Sequence, residues 1–400
     1  MRGRDLARRM LGMEGRSDDT SPAGLFGPRD GRGTYAGVRV DSETAMRHSA
    51  VWAAVNLLAR TVSRMPVDVY QTTTEGRRVE IVPPAIVSRP DPAPQITARL
   101  WRRQVMVSWL LRGNAYGWVV AEDRNGWPAK VEILNPDRVG ANWFGEGPVT
   151  WRVNGREARL WQEGGQLLAW PAYVSPGCPI GLSPIRFAAE SIGLGLAAQE
   201  FGARFFGDGA HPTSAVTLDT PTVTDEQAKI VKQRVLDSMN GTREPIVLGS
   251  GAKFAQLQIA PDESQFLETI GANVADVARW FGVAPEMVGG SSGDSNTYSN
   301  VESQQVGFLV FSVDDWAVQI EDLLTELIPP AQYVRLNPGA LLRTTTKSRY
   351  EAHKLGLDAG WLLPDEVRAL EDRDPLPGGV GQQPNWPPKT PTARAPGGAQ

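Results

Sequence analysis

The residues that could do chemistry lie in the Gly-Gly-Ser-Ser-Gly stretch at 289–293, which fits the G-x-S-x-G pattern of serine hydrolases. Ser291 would be the nucleophile, and Asp314 or Asp315 and then His353 follow in the chain order of hydrolases. A nucleophile elbow needs a strand before the serine and a helix directly after it, whereas here a helix is predicted before it and a polar loop after it. Because glycine-rich and serine-rich loops match this pattern by chance, we expect no catalytic residue, and the serine hydrolase remains an alternative.

The sequence also does not indicate a metal, cofactor or nucleotide site. Cys178 is the only cysteine, which excludes an internal disulfide and multi-cysteine metal sites and fits a reducing cytosol. The three histidines are scattered at positions 48, 211 and 353. Gly193-Leu194-Gly195 resembles a dinucleotide fingerprint, but no strand precedes it and the glycines fall inside a predicted helix. No Walker lysine motif is present, so we expect no ATP hydrolysis, no cofactor and no metal.

Composition and charge indicate a soluble globular chain. Its 400 residues are 41% hydrophobic and 22% charged, which suits two or three structural units with real cores. With 41 basic and 45 acidic side chains the net charge is −4, so we do not expect a broad basic face that grips nucleic acid. We expect no secretory signal, and no stretch approaches the ~20 apolar residues of a membrane span.

The chain is organised around a predicted helix, loop and helix over residues 262–328. In the first helix, apolar residues recur at steps of four and three from Phe266 to Phe281, behind a capping box of Asp262 and Gln265. A glycine and a proline, at 282 and 285, end this helix.

The second helix is announced by a capping box of Ser299 and Glu302. Apolar residues then repeat from Leu309 to Leu327 at helical spacing, until Pro329-Pro330 stops the helix. The loop between the two helices has no aliphatic side chain, so we expect it to project into solvent or a channel. Two antiparallel helices can be joined by ~2 to 8 residues, so this loop is longer than connection requires. Its candidate channel residues are Gly290, Ser291, Ser292, Gly293, Asp294, Ser295, Asn296 and Thr297.

The first half of the chain mixes helices with β-rich segments. Residues 1–40 lack periodicity and are predicted to be disordered. The predicted elements after them are a helix over 51–65, strands over 67–70 and 79–82, a helix over 97–111, and strands over 118–120, 131–134, 149–153 and 158–161. Asn154-Gly155 is a strong hairpin signal. Eight of the thirteen tryptophans lie between Trp101 and Trp170, and we expect them to pack in cores and interfaces because no basic run accompanies them.

The second half begins with a helix from Ser183-Pro184 to Phe206. Its interior glycines at 193, 195 and 202 each cost ~1 kcal/mol against alanine, so we expect a neighbouring backbone to approach closely. Residues 211–259 form a predicted insert of strands over 215–218, 246–248 and 254–259 around a polar helix over 224–239. A strand over 333–336, helices over 347–358 and 364–371, and a disordered tail from 375 complete the chain.

The order of these parts resembles that of the portal proteins of tailed bacteriophages. The strings that carry the resemblance are Gly113-Asn114-Ala115-Tyr116, Gly181-Leu182-Ser183-Pro184-Ile185, Phe205-Phe206-Gly207-Asp208-Gly209-Ala210, Gln265-Phe266-Leu267-Glu268, residues 281–289 (Phe-Gly-Val-Ala-Pro-Glu-Met-Val-Gly), Tyr298-Ser299-Asn300-Val301-Glu302 and residues 360–368 (Gly-Trp-Leu-Leu-Pro-Asp-Glu-Val-Arg). Their order and spacing over residues 45–379 carry the match, since no single string is specific.

The resemblance implies an α+β portal-type fold with long stem and wing helices, a β-rich wing domain, a small α/β clip insert and a C-terminal helical crown. The implied parts are a disordered N-terminal arm over 1–40, a wing domain over 41–180, a first stem helix over 181–210, the clip insert over 211–259, a second stem helix over 260–289, a tunnel loop over 290–300, a long wing helix and strand over 301–345, crown helices over 346–377 and a disordered tail over 378–400.

The resemblance also implies a function. A portal is a non-enzymatic homo-oligomeric ring, expected to be a dodecamer, at one capsid vertex of the virion, the head-tail junction, and it would assemble in the host cytoplasm. Double-stranded DNA would pass through the ring during genome packaging and ejection. The implied partners are the terminase large subunit, a head-tail adaptor, and the major capsid and scaffold proteins, with Lys229 and Arg234 of the clip as candidate docking residues. A ring scaffold without DNA passage is a further alternative.

Overall fold

The structure is a computed structural model, which describes residues 32–143, 147–207, 214–218, 226, 229, 233, 252–256, 263–290, 298–341, 346–371 and 373–383. The chain divides into two compact units, residues 1–337 and 338–400. Within the described part, every helix is too short or too polar to cross a membrane.

The helices of the first unit largely follow the predicted apolar stripes. They are α1 (Ser42–Ala45), α2 (Ser49–Arg64), α3 (Ala85–Ser88), α4 (Ala98–Arg112), α5 (Pro184–Phe187), α6 (Ala189–Gly207), α7 (Glu263–Trp280), α8 (Tyr298–Phe308) and α9 (Asp314–Glu326). The single helix predicted from Ser183 to Phe206 is therefore two helices, separated at Ala188. Ser183 caps the first of them, as expected, by accepting a hydrogen bond from the Arg186 N–H.

The strands form small sheets in which every pair is antiparallel. The larger sheets have the strand orders β10-β5-β6, β13-β3-β4 and β7-β8-β9, and β1 pairs with β2 and β11 with β12. The strands are β1 (Arg32–Gly33), β2 (Arg39–Val40), β3 (Val67–Thr72), β4 (Arg78–Ile81), β5 (Asn114–Glu122), β6 (Pro128–Ile133), β7 (Val139–Asn142), β8 (Thr150–Val153), β9 (Arg156–Ala158), β10 (Leu167–Pro171), β11 (Ser214–Leu218), β12 (Ala252–Gln256) and β13 (Gln332–Leu336).

The Asn154-Gly155 turn joins β8 to β9 with positive φ at both residues, 51° and 79°, which are the angles that a two-residue hairpin requires. This tight turn starts β9 at Arg156. The strand predicted over 158–161 is therefore misplaced, and Trp161 begins a 3₁₀ turn instead.

The core of the first unit lies where α2, α4 and α9 meet the sheets. Trp101 and Trp109 of α4 are buried, and their indole N–H groups donate to the carbonyl oxygens of Val131 and Trp170, each at 2.8 Å. Trp109 also stacks on Trp316 of α9, with ring centroids 6.1 Å apart. Most tryptophans of the cluster are buried, which confirms core packing; they are Trp101, Trp109, Trp143, Trp151 and Trp170.

A buried carboxylate ties α9 to the neighbouring strand β13. Glu321 is only 6% exposed, and its carboxylate accepts the backbone N–H of Leu336 at 2.7 Å while pairing with Arg335. Burial of a carboxylate is tolerated here because both of its oxygens have partners.

The N-terminal arm is shorter than predicted. Residues 32–40, expected to be disordered, form the β1–β2 hairpin, and the Tyr35 N–H donates to the Glu190 carboxylate of α6 at 3.1 Å. The hairpin packs closely on α6 because Gly193 has no side chain, and a Cβ there would collide with Thr34 of the hairpin. Residues 1–31 lie outside the described part.

Gly193 and Gly195 of α6 mark close approaches, but by side chains rather than by a backbone. Gly195 faces His48 and Asn273, whose side chains are joined by a 2.8 Å hydrogen bond between His48 Nε2 and Asn273 Oδ1. The Asn273 amide also donates to the Ser191 carbonyl oxygen at 2.7 Å. Desolvation by burial lowers the pKa of His48 below 6.5, against the opposing effect of Asn273. This contact joins α6 and α7 to the segment in front of α2.

The second unit contains α10 (Thr346–Asp358) and α11 (Pro364–Leu370), close to the predicted bounds. Glu371 accepts from Arg349 and lies 3.2 Å from His353 Nε2, and both contacts hold the two helices together. The tail begins later than expected, because Pro377–Gln382 still forms a 3₁₀ turn.

Candidate functional site

The segment before the candidate channel loop is a helix end followed by a tight turn. Helix α7 ends at Trp280, and Gly282 then adopts a positive φ of 64°. A 3₁₀ turn over Pro285–Val288 follows, and Gly289 has a φ of 92°. The Gly290 N–H donates to the Pro285 carbonyl oxygen at 2.7 Å, so this end of the loop is held by backbone hydrogen bonding. The break predicted at Gly282 is confirmed.

The segment after the loop begins earlier than predicted. Helix α8 starts at Tyr298, so Ser299 lies inside its first turn and cannot be the residue preceding the helix. The expected capping box of Ser299 with Glu302 is therefore wrong, because a capping residue must precede the first residue of its helix. Of the candidate channel residues, Gly290 is described and residues 291–297 lie outside the described part, as does Asp262 of the other capping box.

The two flanks of the loop pack against each other. The Ser312 hydroxyl donates to the Gly282 carbonyl oxygen at 2.6 Å, which brings the long helix after the loop onto the turn before it. A groove of about 420 Å³ lies at this junction, lined by side chains that include Arg279, Met287, Phe308 and Phe311. The segments before and after the loop are therefore in direct contact.

A π-helical turn over Leu309–Val313 joins α8 to α9 and interrupts the long helix at this groove. The sequence instead predicted one uninterrupted helix from the capping box at Ser299 to the stop at Pro329-Pro330. Val310 and Phe311 are 57% and 87% exposed at the turn, while Val313 is fully buried. The available signal was the run of four apolar residues at 308–311, more than one helical stripe can bury. Turns of this kind are common at functional sites.

The insert expected at 211–259 is described in part. β11 (Ser214–Leu218) pairs with β12 (Ala252–Gln256), so the predicted third strand begins two residues before its expected range of 254–259, of which 257–259 lie outside the described part. Lys229 is exposed at a helical position, as are residues 226 and 233. Arg234 and the expected strand at 246–248 lie outside the described part.

Comparison with known proteins identifies the family. A family model described as phage portal protein matches residues 49–372, most of the chain. The chain belongs to the phage portal protein family. The probable portal protein of Streptomyces phage phiC31 is 32% identical over 366 residues, covering 87% of this chain and 79% of that protein. The portal protein of Enterobacteria phage HK97 is 25% identical, with 88% of this chain and 85% of that protein covered.

Solved portal structures share the fold. An HK97 family phage portal protein from Corynebacterium diphtheriae aligns with a TM-score of 0.57 at 17% identity, over 78% of this chain and 98% of that chain. The neck of a native gene transfer agent (GTA) particle computed with C12 symmetry aligns with a TM-score of 0.57 at 19% identity, over 93% of this chain and 100% of that chain. The α+β portal-type fold expected from the sequence is confirmed.

The local structure of this portal-family chain does not favour the hydrolase alternative. The residues before Ser291 form α7 and a 3₁₀ turn rather than the strand that a nucleophile elbow requires. Asp314 and Asp315 lie on the exposed side of α9, and His353 contacts Glu371 within the second unit. Within the described residues, no three His, Cys, Asp or Glu side chains are grouped to hold a metal ion.

Proposed function

We propose that this portal-family chain forms a homo-oligomeric ring of twelve copies in the virion, at the vertex joining head and tail. The observation that carries this proposal is the family match over residues 49–372, together with the fold shared with a neck structure computed with C12 symmetry. A closed ring of identical chains serves as a conduit when its centre is open, and the passing molecule is double-stranded DNA during packaging and ejection. Assembly takes place in the host cytoplasm.

The loop at 290–297 reaches the channel in this proposal. Its support is the contacts of the flanking segments, in which the Ser312 hydroxyl donates to the Gly282 carbonyl oxygen and the Gly290 N–H donates to the Pro285 carbonyl oxygen. A loop held at both ends and free of aliphatic side chains has no core of its own to join, so its middle is available to moving DNA.

The net charge of the chain favours DNA that slides through the channel over DNA that is bound tightly in it. Each phosphate bound by Lys or Arg adds salt-dependent affinity, so a channel lined with such contacts would act as a brake. At −4 per chain, twelve copies would carry about −48, and the loop contains Asp294 as its one charged residue.

The insert at 211–259 docks the terminase large subunit first and the head-tail adaptor afterwards. It interrupts the chain between α6 and α7, and Lys229 is exposed on its helical segment. The major capsid and scaffold proteins contact the outside of the ring. We assign no catalytic role to any residue.

Imaging of the purified protein tests the ring. We expect a rotationally symmetric particle with a central hole wide enough for a DNA duplex. A compact monomer would end the proposal. A closed ring too narrow for DNA would instead support the alternative of a scaffold without DNA passage.

Loop variants test the channel assignment. Removing about four residues from 290–297 should leave rings intact but reduce the DNA packaged per capsid. Replacing Ser292 and Asn296 by arginine should slow packaging, and added salt should relieve the effect because it screens new phosphate contacts. The matched control replaces the same two residues by glutamine, which adds length without charge. Normal packaging by the shortened and the arginine rings would place the loop outside the channel.

Substitutions on the insert test partner docking. Lys229→Ala and Arg234→Ala should weaken binding of the terminase and the adaptor to purified rings, whereas Glu226→Ala on the same segment serves as the control. Binding can be measured by surface plasmon resonance on immobilised rings. Rings that lack residues 211–259 yet bind both partners with full affinity would refute the docking assignment.

A further inference from the structure

One surface in the described part of the first unit is basic. Arg60 and Arg64 lie one helical turn apart on the exposed side of α2, and Arg99 and Arg103 lie one turn apart on α4. Arg103 donates to the Asn56 side chain at 2.8 Å, one turn before Arg60, so the arginines of both helices share one surface. We call these four arginines the basic face.

The positive charge of the basic face affects the pKa of a neighbouring residue, Arg102. Arg102, buried beneath it, has its pKa lowered to about 10 by desolvation and by the charge of Arg99. Within the described part of the chain, no carboxylate forms an ion pair with Arg60, Arg64 or Arg99. The positive charge of this surface is therefore available to a partner.

A second surface is acidic. On α9, Asp314, Val318, Asp322 and Glu326 recur every four residues on the exposed side, with Asp315 beside them. We call the four carboxylates of this stripe the acidic face. Asp315 and Glu326 accept hydrogen bonds from neutral glutamine side chains, which leave the negative charge in place.

The two faces match in order and in length. Trp52, 56% exposed, precedes the arginines on α2, and Phe311, 87% exposed, precedes the carboxylates of α9. From Trp52 to Arg64 is about 18 Å of helix and from Phe311 to Asp322 about 17 Å, at 1.5 Å per residue. Side by side and parallel, such helices would place Trp52 against Phe311 and Arg64 against Asp322.

We propose that the basic face of one subunit binds the acidic face of the next subunit around the ring. This interface rests on the ring proposed above and names the surfaces that close it. A cyclic ring needs two different, mutually complementary patches on every chain, and both faces point away from the packed core of their own subunit. DNA would complement the arginines alone, whereas a second copy of the chain complements the charge of both faces.

Charge reversal tests this pairing. Arg60→Glu with Arg64→Glu should lower the fraction of protein in rings about tenfold, because like charges would face each other at every interface. Asp314→Arg with Asp322→Arg should do the same. The chain carrying all four substitutions should form rings again, to within about twofold of the unmodified protein. The fraction in rings is measured by mass photometry at low salt, where exposed charges are least screened.

The control applies the same charge change elsewhere. Arg152→Glu with Arg156→Glu reverses two exposed arginines on β8 and β9, and it should leave the fraction in rings unchanged. Melting temperatures of all variants report whether each still folds. Loss of rings in the control as well would attribute the effect to net charge and overturn the pairing.

Cross-linking tests the geometry independently of stability. In a Cys178→Ser background, Arg64→Cys and Asp322→Cys in one chain should be joined by a short bismaleimide into a ladder of dimers, trimers and higher multimers. Each single-cysteine variant should give no ladder, since a heterologous contact needs both faces.

The outcomes separate this interface from the ring itself. Unmodified protein that forms no ring overturns the proposed function and the interface with it. Rings that survive both charge reversals and give no ladder leave the proposed function standing and overturn the interface. Intact rings of the arginine-reversed protein with weaker binding of duplex DNA would assign the basic face to phosphate binding instead.

Discussion

The contact of α6 with α7 leaves no room for a side chain at Gly195, and Gly195→Ala is the sharpest test of that packing. His48 and Asn273 meet over this glycine through a 2.8 Å hydrogen bond, and both are buried, at 2% and 4% exposure. A Cβ at position 195 would lie less than 3.0 Å from both side chains. Either the helices must separate or the hydrogen bond must break.

The magnitude follows from the groups involved. Overpacking a tight contact costs about 1–3 kcal/mol. Leaving buried polar groups without partners costs about 1–3 kcal/mol more. Replacing a helical glycine by alanine recovers about 1 kcal/mol through helix propensity. We therefore expect Gly195→Ala to lower the free energy of unfolding by about 3 kcal/mol.

Urea unfolding followed by tryptophan fluorescence measures this change. The matched control is Gly271→Ala on α7, where an added Cβ meets nothing within 4 Å. It should raise the free energy of unfolding by about 0.5–1 kcal/mol, since only the backbone preference changes. Gly195→Ala would refute the reasoning if its stability moved in the same direction as that of the control.

Three further predictions concern the same chain. Because burial lowers the pKa of His48 below 6.5, the unfolded state binds a proton that the folded state does not. The free energy of unfolding should therefore fall as pH drops below 6.5, and urea midpoints across pH should show a weaker fall in His48→Gln. Glu321→Ala should lower the free energy of unfolding by about 2 kcal/mol, because a buried backbone N–H loses its acceptor, and Arg335→Ala should lower it by about 1–3 kcal/mol in the same assay, because one oxygen of the buried carboxylate loses its donor. Ser291→Ala and His353→Ala should leave ring formation and DNA packaging unchanged, and esterase activity that disappears with Ser291→Ala would contradict the portal assignment.

Local signals in the sequence predicted much of the candidate site. Gly282 and Pro285 end α7 where the sequence placed the break, since a left-handed glycine and a proline both oppose helix continuation. The predicted stripe from Leu309 to Leu327 is buried from Val313 onward, whereas Leu309 is half-buried. The register of the second flank was not predictable, because the serine, asparagine and tyrosine at 298–300 offer competing helix starts.

What the sequence determined alone are features that depend on a few adjacent residues. The Asn154-Gly155 turn takes its positive φ angles from residues that tolerate them, and Thr97 caps α4 with its own hydroxyl. In both cases the interacting atoms are close along the chain, so no other element is needed to bring them together.

Tertiary structure alone decided the contacts between distant segments. His48 and Asn273 are 225 residues apart, and neither residue type announces the other. The π-helical turn that exposes Phe311 likewise goes with packing of the long helix on Gly282 through Ser312, 30 residues away. Such contacts form only when many weak interactions across the core together favour one arrangement. The residues next to each position in the sequence therefore do not predict them.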